Sequence, residues 1–231
     1  MKIIKPYWKM ITAAEWVKLY PEIIEAAGRT CYKSEDKITK DSVKEFIRNI
    51  IKRGHESVLE HCSITVRIVC DRGVTHEIVR HRIASYSQES TRYCNYSDDH
   101  IQFIQPCWLT TDVVGIYNMS WTGLYGDCGQ ILPSMTAAES WWFWHCAGAE
   151  RDYNNLIKNG WSPQQARSVL PNSLKTEIVV TMNLREWRHF FKLRTAKVAH
   201  PQMREIACPM LKEFTKLLPT VFDDINVEEK E

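Results

Sequence analysis

Ser63-Ile-Thr-Val-Arg-Ile-Val-Cys70 alternates apolar and polar side chains, with Ile64, Val66 and Ile68 on one face, and reads as a β-strand. Just beyond it, residues 74–79 have the spacing of a short helix carrying Arg80-His81-Arg82. Upstream, Asp41-Ser-Val-Lys-Glu-Phe-Ile-Arg-Asn-Ile-Ile-Lys-Arg-Gly54 reads as a complete helix. Asp41 is placed to cap the first amides, Val43, Phe46, Ile47, Ile50 and Ile51 recur at helical spacing, and Gly54 suits the left-handed position past the end. An earlier helix is expected over about residues 13–27, limited or kinked by Pro21. Further on, a second strand is expected around 101–104 and a long helix over 136–158, ending at Gly160. Ser162-Pro163 opens another helix with Ser as cap, 174–182 is strand-like, and 184–193 and 201–218 are helical. The long helix carries Trp141, Trp142, Phe143 and Trp144, for which core packing is the favoured reading over a ligand platform.

These elements never become a regular βαβ series, and no G-x-G-x-x-G is present, which disfavours a Rossmann fold. The expectation is one α+β domain over residues 1–231, a mostly antiparallel sheet packed against helices. Residues 106–133, rich in Gly, Thr and Trp without a clear period, are read as an irregular insert, and 223–231 as a frayed acidic tail.

Composition narrows the classes. Hydrophobic residues make up 44% and charged residues 25%, the mix of a globular protein. A net charge of only +2 leaves no global basic field for holding a nucleic-acid polymer, so anion affinity must come from local clusters. The eight cysteines contain no C-x-x-C pair, which argues against a zinc ribbon or a thioredoxin-type motif. The opening Met1-Lys-Ile-Ile-Lys-Pro-Tyr-Trp8 lacks the apolar core and cleavage site of a signal peptide, and no stretch has the length of a membrane span. Free thiols in a cytoplasmic protein are the expectation.

The densest chemistry is Arg80-His-Arg-Ile-Ala-Ser-Tyr-Ser-Gln-Glu-Ser-Thr-Arg-Tyr93. Guanidinium groups match phosphate oxygens bidentately, and hydroxyls and backbone amides complete such a cradle, so this is a nucleotide-phosphate site. The bland alternative is a surface patch of salt bridges with Glu77 and Glu89. His55, Glu60 and His61 make a weak metal set with no third histidine neighbour, so no metal site is expected. His61 is read as a capping or core histidine.

Arg80-His81-Arg82, seven residues and then Ser90 resembles the R-H-R-x7-S signature of flavin-dependent thymidylate synthases. Gly54-His55-Glu56-Ser57-Val58-Leu59-Glu60-His61, Ala166-Arg-Ser-Val-Leu-Pro171 and Asn183-Leu-Arg-Glu-Trp-Arg-His-Phe-Phe-Lys-Leu-Arg194 resemble three further blocks of that family, in its order. The resemblance implies that Ser57, Arg80, His81, Arg82, Gln88, Asn183, Arg185 and His189, with His55, hold FAD. It implies that Arg80, Gln88, Glu89, Ser90, Arg92, Arg167 and Arg194 hold dUMP, and that the chain works as a homotetramer with active sites between subunits. Methylenetetrahydrofolate would supply the carbon and NADPH the reducing power. Arg194 would lie against the uracil ring, where a fixed guanidinium stabilises the N3 anion. Ser90 has no recognisable His/Asp relay and is read as a ligand, not a nucleophile. Glu77 stands where the family often has Gln, and His200 falls where the spacing after Arg194 varies. Two rivals stay open: a relative that installs a hydroxymethyl group on a pyrimidine nucleotide, and a nucleic-acid-binding protein that uses the arginine cluster and the aromatics.

Overall fold

The computed structural model describes residues 1–120, 123–126 and 134–227. In chain order its elements are β1 (Lys2–Ile4), β2 (Tyr7–Met10), α1 (Ala14–Val17), α2 (Tyr20–Tyr32), α3 (Ser42–Lys52), β3 (Ser63–Asp71), α4 (Arg72–Ile78) and β4 (Ala84–Gln88). Then come β5 (Gln102–Ile104), β6 (Gly115–Ser120), β7 (Gly123–Gly126), α5 (Ala137–Lys158), α6 (Pro163–Ala166), β8 (Lys175–Asn183), α7 (Leu184–Arg194), α8 (Pro201–Leu217) and α9 (Pro219–Phe222). The strands form two sheets, ordered β5-β1-β6-β7 and β2-β3-β8-β4. β1 runs parallel to β5 and antiparallel to β6, and β6 is antiparallel to β7. The fold is α+β, as expected. The chain divides into two compact units, each assembled from three stretches: Met1–Tyr7, Val69–Ile78 and Gln88–Ile178, and Trp8–Ile68, Val79–Ser87 and Val179–Glu231.

In the first unit α5 starts with a capping box. Thr136 Oγ1 accepts the Glu139 N–H at 3.3 Å while Glu139 Oε2 accepts the Thr136 N–H at 2.8 Å. The helix ends just before Gly160, whose φ of +86° is a left-handed conformation open to glycine. Its buried stripe of Phe143, Cys146, Ala147 and Tyr153 packs with Ile3, Phe103, Val113, Tyr117 and Leu174. The core reading holds for Trp142, which packs against this cluster, but needs correction for Trp141 and Trp144. Phe143 is buried, but Trp141 is 80% exposed and Trp144 46%. At about 100° per residue, position 141 faces away from the stripe through Phe143. The expectation of an irregular insert over 106–133 is also corrected, because it contains the paired strands β6 and β7. Residues 121–122 and 127–133 of that stretch lie outside the described residues.

The second unit is built on an aromatic cluster. Trp187, Phe190 and Phe191 of α7 meet Phe214 of α8 and Phe222 of α9, and all are at most 1% exposed. Ring centroids lie 5.0 Å apart for Phe191–Phe214 and 5.2 Å for Trp187–Phe214. Trp187 Nε1–H donates to the Ile64 carbonyl of β3 at 3.0 Å, so the one polar atom of that indole is satisfied. The expected helix over 13–27 is two helices, α1 and α2, with Pro21 in the first turn of α2, where its missing N–H costs nothing. α3 matches its expected span, and Gly54 takes a φ of +72°. Asp41, however, makes no capping bond; Ser42 Oγ instead accepts the Thr39 N–H at 2.9 Å and donates to Glu25.

The frayed-tail expectation fails at its start. Asp224 accepts from the buried Arg188 guanidinium at 2.6 and 2.7 Å, and Asp223 accepts from Arg48 at 3.2 Å. Residues 228–231 lie outside the described residues. Because Phe214 has neighbouring rings on α7 and α9, Phe214→Ala is expected to lower stability by about 3–5 kcal/mol. In urea unfolding followed by circular dichroism, the midpoint should drop with the slope unchanged.

Candidate active site

In the second unit Asn183 closes β8 and caps α7, its Oδ1 accepting the Glu186 N–H at 2.8 Å. From that start Glu186, Phe190 and Arg194 recur every four residues and form one row along the helix. His81, 4% exposed, lies across this row. Its Nδ1 is 3.1 Å from Glu186 Oε1, its Nε2 accepts from Arg194 Nε–H at 3.1 Å, and its ring centroid is 5.0 Å from that of Phe190. A guanidinium can only donate, so Nε2 must carry a bare lone pair and Nδ1 the proton that goes to Glu186. Burial pushes the imidazole below its ordinary 6.5, against the raising pull of the hydrogen bond it donates to Glu186, and the Arg194 charge lowers it further. Tyr86 of β4 donates to the His81 carbonyl at 2.5 Å, and burial, then the Glu186 charge, pushes its phenol up to about 12.

A cavity of about 450 Å³ opens beside this row, lined by Glu56, Glu60, Ile83, Asn183, Arg185, Glu186, His189 and Lys192. Asn183, Arg185 and His189 of the expected FAD set therefore share one cavity wall. Arg80, Arg82, Ser57 and His55 are exposed in the same unit. Arg185 is paired with Glu60 at 2.6 Å, and His55 Nδ1 lies 3.5 Å from the Tyr32 hydroxyl. His61 is exposed at the end of a 3-10 segment, Glu56–His61, which corrects the core or capping reading. His200 stands at the N-cap position of α8. His81, Glu186 and His189 bring ligand atoms within 4.8 Å of one another. Both nitrogens of His81 are already engaged, however, so His81 has no lone pair left for a metal and the trio falls short of three ligands.

The residues expected to hold the nucleotide, apart from Arg80 and Arg194, belong to the first unit. Gln88 Nε2 donates to Thr75 and Thr176 hydroxyls at 3.0 and 3.3 Å. Glu89 accepts from Tyr96 at 2.7 Å and from Lys175 at 2.9 Å, so it pairs with a lysine and a phenol rather than with the arginines of the signature. Ser90 Oγ accepts the Arg92 N–H at 3.3 Å, and Arg167 donates to Thr91 at 3.2 Å. Arg92 and Arg167 are exposed residues. Sequence reasoning missed Glu186 and Tyr86. The signal for Glu186 was its place three residues after a capping Asn, on the row that ends at Arg194.

The family described as thymidylate synthase complementing protein matches residues 17–220. Flavin-dependent thymidylate synthases are similar to this chain at 34% identity in Mycobacterium sp. (strain JLS), over 89% of this chain and 80% of the relative, and at 35% in Geobacter sulfurreducens, over 87% and 80%. The relative in Pyrococcus abyssi is 37% identical over 79% of this chain and 67% of its own. In fold, the chain is similar to the UMP/dUMP methylase PolB from Streptomyces cacaoi, solved with 5-Br dUMP, with a TM-score of 0.71 and 23% identity over 96% of both chains.

A lowered His81 pKa means that the unfolded chain takes up a proton at about 6.5 that the folded protein refuses. This group leaves stability unchanged above that value and lowers it as the pH falls toward the folded pKa. His81→Gln should therefore flatten the loss of stability between about pH 7.5 and about pH 5 in paired urea titrations. An unchanged slope would mean that the folded and unfolded chains bind this proton equally, and a steeper one that the fold holds the imidazole protonated.

Proposed function

This chain belongs to the thymidylate synthase complementing protein family, and we propose that it is a flavin-dependent thymidylate synthase. In this reading it methylates dUMP to dTMP with methylenetetrahydrofolate as carbon donor, FAD as redox carrier and NADPH as reductant. The observation that carries the reading is Arg194, whose guanidinium is held at 3.1 Å by a buried neutral imidazole that is itself held by the cavity wall. A cation fixed in this way is ready to receive negative charge without first reorganising.

The donors present suit FAD. Arg185, His189, Lys192 and Asn183 offer N–H groups to phosphate and hydroxyl oxygens, and Ile83, 68% exposed, offers an apolar wall for a ring system. Ser57, Arg80, His81, Arg82, Gln88 and His55 complete the set read as holding it. FAD, when bound, supplies the hydride chemistry that no side chain can. Arg92 and Arg167 suit the phosphate of dUMP, with Arg80, Gln88 and Ser90 as further donors. Glu89 would serve through the Lys175 and Tyr96 that hold its carboxylate.

Arg194 stabilises uracil ionised at N3, which raises electron density at C5, the atom that must take the carbon. No protein nucleophile is required, and the Ser90 hydroxyl, accepting a backbone amide, is consistent with a ligand role. We read the chain as a single-domain cytoplasmic protein that assembles as a homotetramer. The exposed Trp141 and Trp144 on α5 support such an assembly, because large solvated indoles are costly without a cover.

The test begins with the absorbance spectrum of the purified protein, followed by dUMP, methylenetetrahydrofolate and NADPH. A flavin spectrum that bleaches and a product one methylene heavier than dUMP are expected. A product heavier by one further oxygen would replace methylation with hydroxymethylation, and no affinity for FAD would overturn the reading. Arg194→Ala should lower kcat by about 100- to 1,000-fold, as loss of one preorganised electrostatic donor does. Near wild-type turnover would remove Arg194 from the chemistry.

A further inference from the structure

We infer that Glu186 is a positioning residue for the reaction: by accepting the Nδ1–H of His81 it aims the Nε2 lone pair at Arg194, and so sets where the guanidinium lies. This rests on reading Arg194 as the group that acts on uracil. Three consecutive contacts carry it. Asn183 Oδ1 fixes the Glu186 backbone at 2.8 Å, Glu186 Oε1 fixes His81 at 3.1 Å, and His81 Nε2 fixes Arg194 Nε at 3.1 Å. Glu186 and His81 are 8% and 4% exposed, so water does not compete freely for these bonds. The imidazole cannot easily move as a whole, because Tyr86 holds its carbonyl and Phe190 lies against its ring.

Within that frame, the state of the ring decides what Arg194 meets. With the proton on Nδ1, a lone pair faces the guanidinium. With the proton on Nε2, an N–H would face an N–H, and with both protonated a cation would face a cation. Either alternative expels Arg194 from its present place. Glu186 accepts only at Nδ1, so its carboxylate selects the one ring state that attracts the guanidinium. The titratable and charged groups that face the ring are Glu186, Arg194 and His189 of α7, with Tyr86 of β4 on its carbonyl. The Glu186 carboxylate also balances the Arg194 charge across the neutral ring. A mere structural role for Glu186 would not require a guanidinium at the far nitrogen.

The experiment uses the flavin-loaded enzyme with Glu186→Ala, Glu186→Gln and Arg194→Lys, and reads kcat, the KM for dUMP, bound flavin, and the nitrogen-15 shifts of His81. Glu186→Ala is expected to lower kcat by about 100-fold, the order of loss from a misplaced reacting group, with KM and flavin content within a few-fold. Glu186→Gln, whose amide oxygen still accepts from Nδ1–H, should lose less. In Arg194→Lys, which has no Nε–H to hold, adding Glu186→Ala should cost nothing further, the non-additivity expected of residues that act as a unit. Wild-type kcat in Glu186→Ala, or an equal loss in the Arg194→Lys background, overturns the proposal. If Glu186→Ala does not fold, the Gln variant and the nitrogen shifts still decide, because a wild-type ring protonated at Nε2 contradicts the relay outright. An enzyme whose His81 shows the expected nitrogen pattern but which makes no dTMP would retain the relay and lose the proposed activity instead.

Discussion

Helix α7 has to satisfy two surroundings at once. Trp187, Phe190 and Phe191 must be withdrawn from water into the rings of Phe214 and Phe222, and burial of aromatic side chains is the larger energy. That requirement sets the rotation of the helix, and the rotation in turn sets everything polar on it. Glu186, Phe190 and Arg194 fall on one row under His81, while Arg185, His189 and Lys192 turn to the cavity. A shift of one residue would put an indole where the carboxylate must be. The site is therefore a by-product of core packing in the sense that its aim is inherited from the aromatic cluster.

The same helix carries a buried cation. Arg188 is 1% exposed and would be costly alone, but Glu56 and Asp224 accept from it, as does the Val221 carbonyl. These bonds tie α7 to the 3-10 segment that supplies the cavity with Glu56 and Glu60, and to the turn after α9. The arrangement explains why residues so far along the chain are ordered beside the site. It also separates two arginines on one helix by role. Arg188 bonds carboxylates of two other segments, whereas Arg194 donates from Nε to the His81 ring.

Long periodic elements were legible in the sequence because their apolar spacing is itself the period of the fold. α3, α5, β3 and β8 lie close to the expected spans. The short strands β1, β2, β4, β6 and β7 were not seen, and the reason is physical. A three-residue strand has no period, and β4, Ala-Ser-Tyr-Ser-Gln, alternates only between half-buried and exposed positions. The arginine-rich signature could be recognised as a string. That its histidine is buried could not, because local composition argued for surface while the group that buries it, Glu186, lies 105 residues away. Trp141 and Trp144 show the opposite error, in which aromatic content was taken for burial without following the angle around the helix.

The interleaving of the two units gives the chain a history as well as a shape. All the residues of the first unit have been made once Ile178 leaves the ribosome, whereas the second needs the stretch that begins at Val179 and brings α7, α8 and α9. During synthesis α3 must wait for its partner α9, which begins only at Pro219, long after α3 ends at Lys52. At about 5–20 residues per second, that wait lasts several seconds or more. Newly made chains thus pass through a period in which one half can be finished while the other stands open, and that period, rather than the completed fold, is when chaperones would find most to hold.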